Sequence, residues 1–200
     1  MRRLIRAFDG FLRRTEGVFE FSQAADCLLR LRVTHSKHAL TLPGVALPAG
    51  ATVLELHLWN EHMPPMPAEG PDMAWAARTT RMFVDSLYAV GQYMKQEPRL
   101  LSVQAVGGVT VLVVPDGNPA AANVLRRLGF HILPYRNRLG RFGEFWENFY
   151  TWWIMWTFNA VSLRRRGLMG MRRTEMWTPA VEFIARFGRE KAPAQRPAPD

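Results

Sequence analysis

Alternating leucine and polar positions over residues 54–59 form the most regular pattern along the chain. Side chains of a β-strand point alternately to its two faces, so the segment predicts a strand with one leucine face. That face should turn to the core, while the opposite face carries Glu55, His57 and Trp59. Prolines at 64, 65, 67 and 71 exclude a helix directly afterwards, so the strand should end in a rigid loop.

Apolar residues at helical spacing mark the predicted helices after the N-terminal one. Two long helices are predicted, over 73–95 and 145–163. A short helix should lie over 118–129, because Asn118 and Pro119 are typical of a helix start and Gly129 of a helix end. A final helix is predicted over 179–188.

Further strands are predicted over 27–36, over 101–114 with a break at Gly107–Gly108, and over 130–135. Together the segments predict an α/β (α+β) fold. Its mixed sheet should have about five to six strands and two long helices, with amphipathic helices towards the chain ends. The predicted divisions are an N-terminal amphipathic helix (1–20), an α/β core (21–142), an aromatic and basic helical region (143–188) and a disordered tail (189–200).

The net charge and its distribution along the chain limit the classes of partner that the protein can be expected to bind. The chain carries a formal charge of +9, with five arginines in residues 1–14 and five in 164–173. Such a balance favours anionic partners. Nucleic acid is the less favoured one, because these arginines flank apolar aromatic segments and form no known reading module. The only cysteine, Cys27, and the lack of a visible signal peptide fit a cytoplasmic location.

The predicted helix over 145–163 favours a membrane surface as the anionic partner. A polar stripe interrupts it, which disfavours spanning, but its wide aromatic face suits the headgroup region. The alternative is a core helix packed on the sheet. Under the membrane interpretation the protein is peripheral to the inner membrane, and the contact residues are Trp146, Trp152, Trp153, Trp156, Arg164, Arg165 and Arg166.

Candidate chemistry concentrates on the predicted strand 52–59 and the turn after it. Glu55 and His57 would lie side by side, and a carboxylate beside an imidazole can orient it as a general base, so these two are the catalytic candidates. Asn60, Glu61 and His62 follow at the strand end, where α/β folds usually bind ligands. Asn60 and Glu61 could instead tie down the proline loop through hydrogen bonds to its backbone. The sequence predicts no metal site, no cofactor and no nucleophile motif, and it leaves open whether the protein is an enzyme.

The segments "GVALPAGATVLELHLWNEHMP", "MAWAARTTRMFVDSLYAV" and "ANVLRRLGFHI" resemble the YkoP-like family of bacterial proteins. The resemblance covers about residues 25–140. It rests on an H-x-x-N element (His57 to Asn60), a Ser-Leu pair and an R-L-G-F segment. Fusion of some members to polysaccharide deacetylases implies an accessory role in cell-envelope or lipid metabolism.

The segment "VTVLVVPDGNPAAANVLRRLGFHIL" is similar to the C-terminal part of GNAT-type acetyltransferases. The resemblance implies a related topology and, as an alternative function, a divergent acetyl- or acyl-transferase that uses acetyl-CoA or acyl-CoA. Phosphate groups would then lie at the start of the 73–95 helix, near Arg78 and Arg81. The glycine-rich phosphate-binding turn of those enzymes is absent from this place in the chain.

Overall fold

The structure is a computed structural model that describes residues 17–110, 119–135 and 173–190. Its strands are β1 (Leu29–His35), β2 (Leu40–Leu42), β3 (Val45–Leu47), β4 (Thr52–Leu58), β5 (Ala105–Thr110), β6 (His131–Pro134) and β7 (Thr174–Pro179). Its α-helices are α1 (Met73–Gln96), α2 (Pro119–Arg127) and α3 (Ala180–Phe187), and short 3-10 turns cover Asn60–His62 and Pro98–Leu100.

Five strands form one mixed sheet in the order β1-β4-β5-β7-β6, and β2 and β3 form a separate hairpin. Among the described strands of this sheet, β4 and β5 are the one parallel pair, and α1 lies between them in the chain. The predicted α/β class with a mixed sheet is therefore confirmed. The long helix predicted over 73–95 is α1, and Asp72 caps its start by accepting a hydrogen bond from the Trp75 backbone amide.

The sheet buries one face under the helices, as the leucine pattern of β4 predicts. Leu54 and Leu56 belong to this core, together with Leu31 of β1 and Val106 of β5. The helices contribute Leu87, Val90, Met94, Leu125, Phe183 and Phe187 to this core, and Phe130 joins it from the segment between α2 and β6. Because the leucines of β4 face this core, Glu55 and His57 lie on the opposite face of the sheet.

The β2–β3 hairpin packs against the opposite face, at one end of the sheet. Leu40, Leu42 and Leu47 of the hairpin form a second cluster with Val53 and Trp177. The rest of this face carries ionisable side chains. We call it the polar face, and define it by Arg30 and Arg32 of β1, Glu55 and His57 of β4, and Glu175 and Trp177 of β7.

Strand β7 lies between β5 and β6, although the sequence analysis places only helices in that part of the chain. All six residues of β7 are buried, and three of them are polar: Thr174, Glu175 and Thr178. A strand that is buried on both faces shows no alternation of polar and apolar residues, and is usually a continuous apolar run instead. The three polar residues of β7 interrupt that run. The usual strand signals are therefore missing from "TEMWTP".

Gly107 lies within β5, so the predicted break at Gly107–Gly108 is wrong. A Cβ at Gly107 would overlap the Met176 carbonyl oxygen, and the Trp177 ring packs over this position. The glycine therefore allows the backbone of β7 and the Trp177 ring to approach β5 closely.

Some predicted elements fall outside the described residues: the 145–163 helix, most of the N-terminal helix and most of the tail. Of the N-terminal segment, residues 17–20 are described. There Phe19 exchanges two backbone hydrogen bonds with Leu31 of β1, at 2.8 and 3.0 Å.

Gly91 provides a stability test of the packing between α1 and α3. A Cβ there would overlap the Phe187 backbone. We predict that Gly91→Ala lowers the free energy of unfolding by roughly 2 kcal/mol, because the clash outweighs the gain of about 1 kcal/mol in helix propensity. Urea unfolding measures the change. The control Thr80→Ala, on the exposed side of α1, should be neutral or stabilising, and a stabilised Gly91→Ala variant would contradict the packing.

Candidate functional site

Glu55 is the centre of the polar face. In the register of the sheet it lies opposite Arg32 of β1 and opposite Gly107 of β5. Its Oε2 atom is 3.6 Å from Arg32 Nη1 and 3.4 Å from His57 Nε2. One carboxylate oxygen thus faces a guanidinium on one side and an imidazole on the other. The predicted pairing of Glu55 with His57 is present in the structure.

Burial raises the pKa of Glu55, but contact with His57 and the positive charges of His57, Arg32 and Lys37 outweigh it, so the net pKa is lowered. Glu55 is therefore ionised at neutral pH. A carboxylate facing Nε2 favours the tautomer with its proton on that nitrogen, which leaves Nδ1 as an acceptor. The His57 side chain is 35% exposed and that of Glu55 18%. The arrangement is an imidazole oriented by a carboxylate, as a general base or a hydrogen-bonding ligand group requires.

Glu61 lies in the 3-10 turn at the end of β4, next to this pair. The buried Arg30 guanidinium contacts Glu61 at 3.5 Å and Glu20 at 3.1 Å. It also lies over the Trp59 ring, 4.2 Å from the centroid. A buried cation needs such compensation, so Glu61 has a structural task here.

His62 is the last residue of the same turn. Its ring stacks on Trp59 with 3.7 Å between centroids, and Nδ1 donates to the backbone carbonyl of Cys27 at 2.8 Å. Cys27 itself is buried. Asn60 begins the 3-10 turn, and its carbonyl accepts from the Met63 amide. The contacts of Glu61 and His62 thus join the end of β4 to the segment that carries Cys27 and Arg30. Side-chain hydrogen bonds from Asn60 and Glu61 to the backbone of the proline loop, the predicted alternative, are not among these contacts.

Arg78 and Arg81 are exposed on α1, in the first turns after its start. Asp72 already places a carboxylate on the helix start, 2.6 Å from the Trp75 amide. A second anion at the same backbone groups would be repelled. The Asp72 carboxylate therefore already occupies the helix start at which the transferase alternative places phosphate groups.

The predicted membrane contacts at Trp146, Trp152, Trp153, Trp156 and Arg164–Arg166 lie outside the described residues. Within the described part of the chain, no helix is long and apolar enough to cross a membrane. The same residues contain no cluster of histidine, cysteine or acidic side chains that could hold a metal ion.

Comparison with known proteins adds one finding. The model of the YkoP domain matches residues 1–185, which is nearly the whole chain. The chain belongs to the YkoP family. No curated protein and no solved structure matches it, so the predicted similarity to acetyltransferases has no support from these comparisons.

The residues behind the YkoP resemblance have defined places in the fold. Ser86, of the Ser-Leu pair, accepts a hydrogen bond from the Leu28 amide at 2.8 Å and so joins α1 to the start of β1. The R-L-G-F segment ends α2: Arg127 accepts from Arg186 of α3 through its backbone carbonyl, and Phe130 is buried. In the H-x-x-N element, His57 lies on the polar face and Asn60 at the turn.

Sequence reasoning missed a second carboxylate–imidazole pair on the polar face of the YkoP domain. Glu175 Oε1 is 2.9 Å from His38 Nε2, and Glu175 Oε2 accepts from Trp177 Nε1 at 2.8 Å. The His38 side chain is 45% exposed. Its partner lies 137 residues later in a strand that showed no periodic signal.

The lowered pKa of Glu55 predicts a pH-dependent stability. A carboxylate with a lowered folded-state pKa stabilises the fold above its unfolded pKa, and this contribution disappears as pH falls through the folded value. We predict that Glu55→Gln costs roughly 1 kcal/mol at neutral pH, and that this cost shrinks as the pH falls below the ordinary pKa of glutamate and vanishes once Glu55 is protonated in the folded chain.

Urea unfolding of both proteins across this pH range measures the difference. Glu69→Gln, at an exposed loop position, is the matched control and should show no comparable loss. A Glu55→Gln cost that is constant with pH would mean that the contacts of Glu55 are not electrostatic.

Proposed function

We propose that this YkoP protein is an accessory domain that binds an anionic small molecule on its polar face and rests peripherally on an anionic membrane surface. The supporting observation is the charge balance around Glu55. Three cationic or protonatable groups (Arg32, His57 and Lys37) surround this single carboxylate. The surplus favours a ligand that brings further negative charge.

Phosphate is the anionic group that best suits these side chains. A guanidinium binds phosphate oxygens through paired N–H groups. Arg32 is 30% exposed, so it can reach a ligand while it stays near Glu55. His57 lies beside the same carboxylate and can donate to, or accept from, a ligand hydroxyl. Under this proposal Glu55 and His57 recognise the ligand, and any catalysis would use His57 as base.

The membrane part of the proposal rests on charge and composition. The excess of 26 basic over 17 acidic residues attracts anionic lipid, at about 1 kcal/mol for each basic group near the surface. The YkoP resemblance adds envelope or lipid metabolism as the setting.

A divergent acetyl- or acyl-transferase is the second candidate, and one observation favours it. The parallel strands β4 and β5 pair only from Val53–Ala105 to Glu55–Gly107, although both strands continue beyond these residues. Pairing thus stops towards the carboxyl ends of a parallel pair, where α/β folds commonly bind ligands. Glu55 or His57 would then act as the base.

A binding panel separates the two candidates. Two-dimensional NMR of the His57 ring is followed while inorganic phosphate or acetyl-CoA is added to the full chain. The accessory-domain proposal predicts a saturable shift with phosphate, weakened about tenfold in Arg32→Gln because a charge-assisted contact is lost. Arg78→Gln is the control, and it should bind as the parent does. A response to acetyl-CoA alone would favour the transferase, and no response to either would contradict both.

Vesicle flotation tests the membrane association. We predict that the chain floats with vesicles of phosphatidylglycerol and phosphatidylcholine but not with phosphatidylcholine alone, and that salt weakens the binding. Replacing Arg164, Arg165 and Arg166 by Gln should reduce flotation. The control replaces Arg78, Arg81 and Arg126, which removes the same charge from exposed helix positions. Equal losses would contradict a contact at 164–166, and equal binding to both vesicle types would contradict the electrostatic attraction.

A further inference from the structure

The carboxylate of Glu175 is buried and has both oxygens engaged. Its side chain is 6% exposed, with Oε1 on His38 and Oε2 on the Trp177 indole N–H. An indole N–H compensates only part of a buried negative charge. The geometry therefore calls for a positive charge on His38.

The contacts of His38 itself also call for that charge. Nε2 faces the Glu175 carboxylate at 2.9 Å, and Nδ1 faces the Ala39 carbonyl oxygen at 2.9 Å. A carboxylate oxygen and a backbone carbonyl oxygen both accept hydrogen bonds. A neutral imidazole carries one N–H, so it satisfies one of these contacts and places a lone pair against the other. The doubly protonated ring satisfies both.

His38 stands directly before the β2–β3 hairpin. Leu40, two residues later, begins β2, and the hairpin leucines pack on Trp177. The charged pair therefore joins the base of the hairpin to β7. Because the indole of Trp177 also donates to Glu175, one carboxylate holds both the hairpin and the ring on which the hairpin rests.

Trp177 in turn borders the site around Glu55. Gly107 lies between them in the register of the sheet, opposite Glu55 on one side and opposite Trp177 on the other. The Trp177 ring packs over this glycine. A change in the position of the ring or of the hairpin therefore alters the wall of the polar face beside Glu55.

We propose that His38, Glu175 and Trp177 form a proton-dependent clasp, which holds the β2–β3 hairpin on the sheet and regulates the polar-face site. The regulatory half of this inference rests on the ligand site proposed above. The clasp itself rests only on the contacts among these three residues and Ala39.

The direction of the pH effect follows from the two partners. Loss of the His38 proton at higher pH leaves one ring nitrogen without its hydrogen bond, so the clasp weakens. Protonation of Glu175 at low pH removes the negative charge and weakens it as well. Other charged or titratable groups on the surrounding elements are Lys37, Arg173, His131, Tyr135, Arg32, Glu55 and His57.

NMR of the full chain tests the clasp without any ligand. Nitrogen-15 shifts of the His38 ring should report two protonated nitrogens at about pH 7, and the exposed His35 ring is followed in the same spectra for comparison. In Glu175→Gln, which keeps an oxygen acceptor for Trp177, His38 should become neutral at this pH. A His38 ring that is neutral whenever His35 is neutral would overturn the proposal.

Hydrogen exchange gives a second readout, corrected for the intrinsic pH dependence. Protection of the β2 and β3 amides should fall about tenfold when pH rises through the His38 titration, since one charge-assisted bond is lost. In His38→Gln the protection should no longer follow pH, while His35→Gln should behave as the parent. Protection that follows pH equally in His38→Gln would overturn the clasp.

The two proposals fail separately. A titrating clasp in a chain that binds no phosphate refutes the proposed function and its regulation but leaves the clasp intact. Phosphate binding whose affinity is unchanged between about pH 6 and pH 9 in both the parent and His38→Gln refutes the regulation alone.

Discussion

Charged side chains that are partly buried on a β-sheet need opposite charges or hydrogen bonds beside them. This requirement determines the arrangement of one whole face of the sheet. A partly buried ion is costly unless an opposite charge or several hydrogen bonds compensate it. Glu55 meets the need with Arg32 and His57, Arg30 with Glu20 and Glu61. Glu175 meets it with His38 and Trp177. The opposite face carries the leucines and the helices, so the charges gather on one side of the sheet.

Strand β7 allows these groups to share that side. Its position between β5 and β6 places Glu175 and Trp177 beside strands from much earlier in the chain. Gly107 makes the close approach possible. The YkoP match extends to residue 185 and so includes all of β7 and most of α3. The resemblance read from the sequence stopped near residue 140, before the strand that completes the sheet.

Local patterns predicted local structure well. The alternation over 54–59 identified β4 and its two faces, and the helical spacing over 73–95 matches α1 at Met73–Gln96. The contact between Glu55 and His57 could be predicted from the sequence because the two residues are two positions apart on one strand. The His38–Glu175 contact could not, since it joins a loop to a strand across 137 residues and depends on strand order. Pairings of this kind are set by tertiary packing. Neither the composition nor the periodicity of the sequence contains that information.

The central claim is that an ionised Glu55 orients the His57 ring and leaves its outer nitrogen free to accept. Nitrogen-15 NMR of the His57 ring, at a pH where the ring is neutral, tests it most directly. The account predicts the tautomer with its proton on Nε2 in the parent chain, and a loss of that preference in Glu55→Gln. A His57 ring protonated on Nδ1, or one whose tautomer is the same in both proteins, would contradict it.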